Sequence, residues 1–342
     1  IHRVVEVLGG LPVDGDERER AQVLAPGERR LGHHVAEALE RAGHEVVALV
    51  RMGKIGDLER LNQIGFAGEG VWHDLRSPIP ETVERRIGTV DAIIHMGAET
   101  HVDRSIEDAS EFVWSNVVGT MHLLEFARKR LSAKGRFIQF STDEVFGPAP
   151  DGIAYKEDDA HNPKNPYAAS KSGAEALVVA YNNTYGLPAT IVRSMNIFGE
   201  RQHREKFIPK VIRSIITGET VPIHSDKALT RAGSRYYTYA GVVADVLLHL
   251  LGMEYEGMRS YHVVGEREVD NLQMAQEIAR LMGGRLQFEM VNFHESRPGH
   301  DLRYALADTR LEGIGWTRKT CFDEALATTV GWYLSYREWL GL

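Results

Sequence analysis

Short apolar runs rich in Val and Ile alternate along the chain with longer segments in which apolar residues recur every three or four positions. HEVVALV (44–50), DAIIHM (91–96), GRFIQF (135–140) and PATIVR (188–193) are the apolar runs. Between them lie LGHHVAEALERAG (31–43), SEFVWSNVVGTMHLLEFARKR (110–130) and PYAASKSGAEALVVAYNNTYG (166–186). In the first of these, Val35, Ala38, Leu39 and Ala42 share a helical face, and Gly43 supplies a C-terminal stop. Strands that are apolar on both faces and separated by helices predict an α/β fold, a doubly wound parallel sheet of Rossmann type covered on both sides. From about residue 195 the alternation loosens. EKFIPKVIRSIITGE (205–219) and NLQMAQEIARLMGG (271–284) read as helices with short strands between them. The expected division is a dinucleotide-binding domain over 1–195 that carries the catalytic residues, and a smaller C-terminal α/β lobe over 196–342 that binds substrate. The chain is expected to cross between them more than once.

Composition narrows the classes of function. The 342 residues are 43% hydrophobic and 26% charged, enough apolar surface for one large α/β unit with a smaller lobe. A net charge of −8 gives no overall basic field, so no nucleic-acid partner is expected, although a local basic pocket can still hold a phosphorylated ligand. The single cysteine, Cys321, excludes a disulfide within the chain and a cysteine zinc site. The histidines show no metal-ligand pattern, and no metal is expected. The most apolar stretch, VVADVLLHLL, is broken by Asp245 and His249 and is shorter than the roughly 20 residues that span a bilayer. With no signal-peptide pattern, no membrane partner and a cytoplasmic location are expected.

A doubly wound sheet binds dinucleotides at its first strand–helix turn, where glycines let the pyrophosphate approach the backbone. The candidate here, VLAPGERRLGHHVAEAL (23–39), keeps Gly27 and Gly32 but has Glu28-Arg29-Arg30 where a middle glycine is usual. An earlier run, VEVLGGLPVDG (5–15), offers Gly9, Gly10 and Gly15 without a clean helix after it. The end of the next strand carries Val50 and Arg51 in place of the acid that often receives the ribose hydroxyls. Arginine there can favour a 2′-phosphate, and equally can be a surface residue. Asp74, in WHDLRS (72–77), follows a third short strand and is a candidate partner for the adenine ring.

The sharpest chemistry lies in NPYAASKSGAEAL (165–177), where Tyr167 and Lys171 stand four apart at the start of a helix and so share a face. A lysine ammonium and a cationic nicotinamide both favour the phenolate of a tyrosine whose free pKa is near 10, giving a usable base. Such a pair alone is common on helix surfaces. Its context is not, because the apolar strand FIQFS ends in Thr142, Asp143 and Glu144 just upstream, and GAETHVDRS follows the strand before that. Active sites of doubly wound sheets gather at these carboxyl ends.

In these features the chain resembles the extended short-chain dehydrogenase/reductase family, and within it the nucleotide-sugar 4,6-dehydratases of the dTDP-glucose 4,6-dehydratase type. The resemblance runs from about residue 31 to 339 and rests on GAETHVDRSI (97–106), FSTDEVFG (140–147), NPYAASK (165–171), RSMNIFG (193–199), EKFIP (205–209) and RPGHDLRYALADTRLEGIGW (297–316). The glycine loop, Val50-Arg51 and GSRYYTYAG (233–241) depart from the family pattern. The resemblance implies NAD as cofactor, with NADP left open by Arg51. Gly27, Gly32, Arg51 and Asp74 would meet its adenosine and pyrophosphate side. Leu75, Gly97, Ala98, Thr100, Asn116 and Ser141 would line the rest, with Tyr167 and Lys171 at the nicotinamide. It implies that Tyr167 takes the sugar 4-hydroxyl proton, Thr142 bonds the same oxygen, Glu144 removes the C5 proton and Asp143 protonates the departing C6 hydroxyl. Hydride would leave C4 and return to C6. Thr100, Thr142, Asn196, Lys206, Arg235, Arg297, His300 and Tyr304 would contact the nucleotide sugar, with Arg231 competing for the place of Arg235. The alternatives are an epimerase or decarboxylase on the same scaffold, or a nucleotide-sugar-binding protein without activity. The neighbouring acids Asp143 and Glu144 speak for dehydration. The helices 110–130 and 166–186 would pair two copies into a homodimer, as they do in this family.

Overall fold

In a computed structural model of the chain, residues 3–7, 31–51, 55–292 and 303–342 are described. The central sheet contains β1 (Arg3–Val7), β2 (Glu45–Val50), β3 (Glu69–Trp72), β4 (Val90–His95), β5 (Leu131–Thr142), β6 (Ala189–Ser194) and β7 (Arg259–Val263). Their spatial order is β7-β6-β5-β4-β1-β2-β3. β1 pairs in parallel with both β2 and β4, with Val5 opposite Val47 on one side and Ile93 on the other. The order therefore reverses between β1 and β4, the switch point at which open α/β sheets place their ligands. The four strands expected from apolar runs are β2, β4, β5 and β6. Each is buried along most of its length, which is why it reads as an unbroken apolar run.

Two compact units divide the chain: Ile1–Ser141, Pro166–Val192 and Ala244–Ser260 make one, and Thr142–Asn165, Arg193–Val243 and Tyr261–Leu342 make the other. In the first, Val47, Leu49 and Ile93 of the sheet pack with Leu123, Leu124 and Phe126 of the helix Gly119–Arg130 and with Val178 of the helix Pro166–Tyr185. The helical run expected over 110–130 is present, but Val113–Val118 within it is wound as a π-helix. Such wider turns recur at functional sites, and this one carries the buried Asn116.

The second unit has its own core. The helix Phe207–Thr217 buries Ile208, Val211 and Ile212, at helical spacing, and ends at Gly218 in the left-handed conformation. The helix Asn271–Met282 starts where Asp270 accepts a hydrogen bond from the Gln273 amide, and it buries Met274 and Ile278 into the same cluster. Val221–Ser225 pairs in parallel with Phe288–Asn292. The helix Phe322–Ser335 adds Leu326 and Val330 to that core. The chain leaves the first unit after Ser141 and re-enters it at Pro166. Thr142, Asp143 and Glu144 follow the first crossing, and Tyr167 follows the second.

Candidate active site

In the first unit, Tyr167 and Lys171 stand in the first two turns of the helix Pro166–Tyr185 and are both buried. The Tyr167 ring packs edge-on to Phe112, with centroids 6.3 Å apart, and clusters with Val102. Its backbone amide donates to Ser105 Oγ at 3.1 Å. Lys171 Nζ donates to the carbonyl of Phe140 at 2.8 Å, so the strand β5 fixes the ammonium. Asn116, in the π-helical turn, ties three segments together. Its Oδ1 accepts from the Glu99 amide at 2.8 Å, and its Nδ2 donates to the Glu99 carbonyl at 2.9 Å and to Ser170 Oγ at 2.8 Å. Ser170 Oγ in turn donates to the Tyr167 carbonyl at 2.7 Å. Behind these groups, His95 Nε2 lies 3.0 Å from Thr120 Oγ1. Burial, and then the charge of Lys171, push the His95 pKa down to about 3.

The groups expected at a dinucleotide lie in this same unit. Gly32 is the first residue of the helix Gly32–Arg41 and is buried. Thr100 follows β4 and Ser141 is in the last turn of β5. Their hydroxyls are buried without a hydrogen-bond partner among the described residues. Two orphaned hydroxyls at the carboxyl ends of neighbouring strands, beside the switch point, fit a polar ligand laid along that edge of the sheet. Gly119 comes close to Leu75, where an added Cβ would sit 3.2 Å from the Leu75 side chain. His122 Nδ1 lies 2.7 Å from the Leu75 carbonyl, so that ring nitrogen donates. Gly97 is buried and Ala98 half-buried on the segment after β4. Arg51 does not face solvent. Its Nε is 3.1 Å from Asp74 and its Nη1 is 3.2 Å from Glu99, with 7% of the side chain exposed. Burial lowers the Arg51 pKa from its ordinary value against the pull of Asp74. Asp74 also receives Arg76, at 2.7 Å. Burial works to raise the Asp74 carboxyl, but the bonds from Arg76 and the Arg51 charge outweigh it and hold the group below the usual carboxylate range.

In the second unit, Thr142 caps the 3₁₀ turn Asp143–Phe146 and accepts, at 3.4 Å, from the Glu144 amide. Thr142 Oγ1 donates to Asp143 Oδ1 at 2.9 Å. Glu144 Oε2 accepts from Asn165 Nδ2 at 3.0 Å. Asp143 is buried and Glu144 half-buried. The guanidinium of Arg235 stands 5.0 Å over the ring of Tyr304, which brings two expected substrate contacts together. Arg231, by contrast, forms a two-pronged pair with Asp151 at 2.9 and 2.6 Å on the surface. Asn196 is exposed and held at φ 38°, in the left-handed region that few residues other than glycine and asparagine accept. Lys206 stands at the N-cap position of the helix Phe207–Thr217 without a side-chain cap bond. Gly27, Arg297 and His300 lie outside the described residues.

Sequence reasoning did not single out Glu99, Ser105, Asn165 or Ser170, although all four sit inside the quoted motifs or beside them. Asn165 was within reach, since it opens NPYAASK two residues before Tyr167. Glu99 was not, because its partners stand 48 and 17 residues away along the chain.

The model of the NAD dependent epimerase/dehydratase family matches residues 27–270. The chain is 40% identical over 255 residues to the low-salt glycan biosynthesis protein Agl12 of Haloferax volcanii, covering 74% of this chain and 79% of that protein. It is 38% identical over 337 residues to the dTDP-glucose 4,6-dehydratase of Streptomyces niveus, covering 97% and 93% respectively. Its fold matches the crystal structure of DesIV, the dTDP-glucose 4,6-dehydratase of Streptomyces venezuelae with NAD and TYD bound. The TM-score is 0.82 at 30% identity, over 98% of each chain. The chain belongs to the NAD-dependent epimerase/dehydratase family.

Proposed function

We propose that this protein is a lyase, a nucleotide-sugar 4,6-dehydratase that converts dTDP-glucose to the 4-keto-6-deoxy sugar nucleotide. The observation that carries the proposal is the sequence Thr142-Asp143-Glu144 at the end of β5, in a family member that also holds Tyr167 and Lys171 buried on one helix. Epimerisation needs the phenol and the ammonium but no second pair of acids, so the acids favour elimination of water. The 30–40% identities to named dehydratases and glycan-biosynthesis proteins support the same reading.

Ser141, Tyr167 and Lys171 would hold the nicotinamide side of NAD, which would supply an acceptor for the C4 hydride and a donor of hydride to C6. Tyr167 takes the proton of the 4-hydroxyl, and the Lys171 ammonium, anchored on the Phe140 carbonyl, favours the phenolate that does so. The resulting ketone acidifies the C5 proton, which Glu144 removes and, after exchange with solvent, returns to C5 when hydride adds at C6. Asp143 enters protonated and delivers its proton to the departing C6 hydroxyl. In that state the proton is carried on Oδ2, and Oδ1 goes on accepting from Thr142 Oγ1. The Thr142 oxygen keeps a lone pair to accept from the sugar 4-hydroxyl. Two neighbouring carboxyls suit this division because like charges at short range push their pKa values apart.

We propose that the protein is a cytoplasmic homodimer. Among the described residues no helix is long and apolar enough to cross a membrane. Val113, Trp114, Val179 and Tyr185 are exposed large apolar residues on the two helical runs expected to pair. Incubation with dTDP-, UDP-, GDP- and CDP-glucose, followed by mass spectrometry, tests the function. Loss of one water from the dTDP sugar is the expected result, and conversion without a change of mass would leave an epimerase.

A further inference from the structure

The end of β2 is where dinucleotide folds meet the adenine ribose, through an acid for a free 2′-hydroxyl or an arginine for a 2′-phosphate. This chain has Arg51 there, yet it belongs to an NAD-dependent family. The geometry resolves the conflict. The Arg51 side chain turns inward, and its two ion-pair contacts go to Asp74 and Glu99. Glu99 is the more buried of the two, at 4% side-chain exposure against 32% for Asp74. Its backbone is held on both sides by Asn116, at 2.8 and 2.9 Å, so the acid cannot follow the arginine outward. Asp74 is shared with Arg76, which also pairs with Glu111 at 3.0 Å. Among the described residues three carboxylates, Asp74, Glu99 and Glu111, thus pair with two guanidiniums, Arg51 and Arg76, which leaves one negative charge in excess in this cluster. A phosphate dianion brought to this cluster meets repulsion and a cation whose Nε and Nη1 are already engaged, while its Nη2 is buried and without a partner among the described residues. A neutral hydroxyl meets neither, and finds a carboxylate able to accept its proton.

We propose that Glu99 sets the preference for NAD over NADP by holding Arg51 in an internal ion pair and withholding its guanidinium from a 2′-phosphate. Glu99 acts through Arg51 and is a specificity-determining residue, with no part in the chemical steps. The proposal rests on the dinucleotide reading of the sheet, not on dehydration. Its test is therefore binding, which can fail while turnover of the sugar nucleotide succeeds, and the reverse.

The experiment measures the affinities of NAD and NADP for the full chain by titration calorimetry, for wild type, Glu99→Gln and the double variant Glu99→Gln/Arg51→Gln. Glutamine keeps the size of the side chain and removes the charge. The wild type is expected to prefer NAD. In Glu99→Gln the NADP-to-NAD affinity ratio should rise by about tenfold or more, the scale of one lost charge contact at a partly screened site. The double variant should lose that gain. Should Glu99→Gln fail to fold, Asp74→Asn removes the other carboxylate on Arg51 and should move the ratio the same way. Equal wild-type affinities, an unchanged ratio in the single variant that folds, or a gain that survives loss of Arg51 would each overturn the proposal. A purely structural Glu99 would weaken both dinucleotides together and leave the ratio where it was.

Discussion

The phenol–ammonium pair of the first unit and the acid pair of the second are held in different ways. Around Tyr167 and Lys171 most of the hydrogen bonds run to main chain: Lys171 to the Phe140 carbonyl, Ser170 to the Tyr167 carbonyl, and Asn116 to both backbone groups of Glu99, with Asn116 to Ser170 Oγ as a side-chain bond beside them. The two carboxyls instead receive bonds from side chains, Asp143 from Thr142 and Glu144 from Asn165, while the Glu144 amide donates to Thr142. Main-chain partners in a strand or helix cannot rotate away, so the groups beside the proposed redox step are fixed before substrate arrives. Hydroxyl and amide side chains can turn and exchange donor for acceptor roles. That freedom suits carboxyls which must each give or take a proton during one turnover. The difference suggests that the oxidative half is preorganised and the eliminative half is adjustable.

The largest effect should come from the rigid side. Tyr167→Phe should lower turnover by about a thousandfold, within the usual range for loss of a general base, while NAD affinity stays near wild type. Steady-state kinetics with a parallel dinucleotide titration would check this. Asp143→Asn should cost about a hundredfold. It should also let the reduced nicotinamide accumulate, seen by its absorbance in a single turnover, because oxidation proceeds and elimination does not. Wild-type turnover in this variant would remove Asp143 from the acid role. Asn165→Ala releases Glu144 from its amide partner and should slow the reaction by about tenfold with little change in KM, since it misplaces a base without touching the nucleotide. An effect as large as that of Tyr167→Phe would mean that the acid side is as rigidly held as the phenol side.

The smallest effect concerns stability. His95 is buried beside Lys171 with its pKa held at about 3, so the folded protein disfavours its protonation. Its contribution is complete above the ordinary histidine value near 6.5 and is lost as pH falls from there toward 3. The slope approaches about 1.4 kcal/mol per pH unit for one group. His95→Gln should flatten that part of the curve in denaturant titrations made at several pH values. An unchanged slope would place the acid sensitivity elsewhere.

The frame of the fold could be read along the chain because parallel strands buried on both faces must be apolar throughout. HEVVALV became Glu45–Val50 and DAIIHM became Val90–His95 with the register of a single sheet. The pairing of Val221–Ser225 with Phe288–Asn292 could not be read this way. Some 60 residues separate them, and neither carries the unbroken apolar run that marks a central strand. The π-helical turn at Val113–Val118 was equally hidden, since its apolar residues fit an ordinary helix and only the backbone winding of the folded chain shows the extra width. Arg51 is the clearest case. Its type and position in the chain suggested a phosphate contact, but its environment is decided by Glu99 and Asp74, which the fold brings from other strand ends. Charge pairing across the sheet is not encoded in any local pattern.

The central claim is that a phenol and two carboxyls of this chain remove water from a hexose by way of a C5 carbanion. The most direct measurement is mass spectrometry of dTDP-glucose after incubation with the protein and NAD in deuterated water. The account predicts a product lighter by one water that carries a solvent deuterium at C5. A product of unchanged mass with no solvent hydrogen on carbon, or no conversion at all, would contradict it.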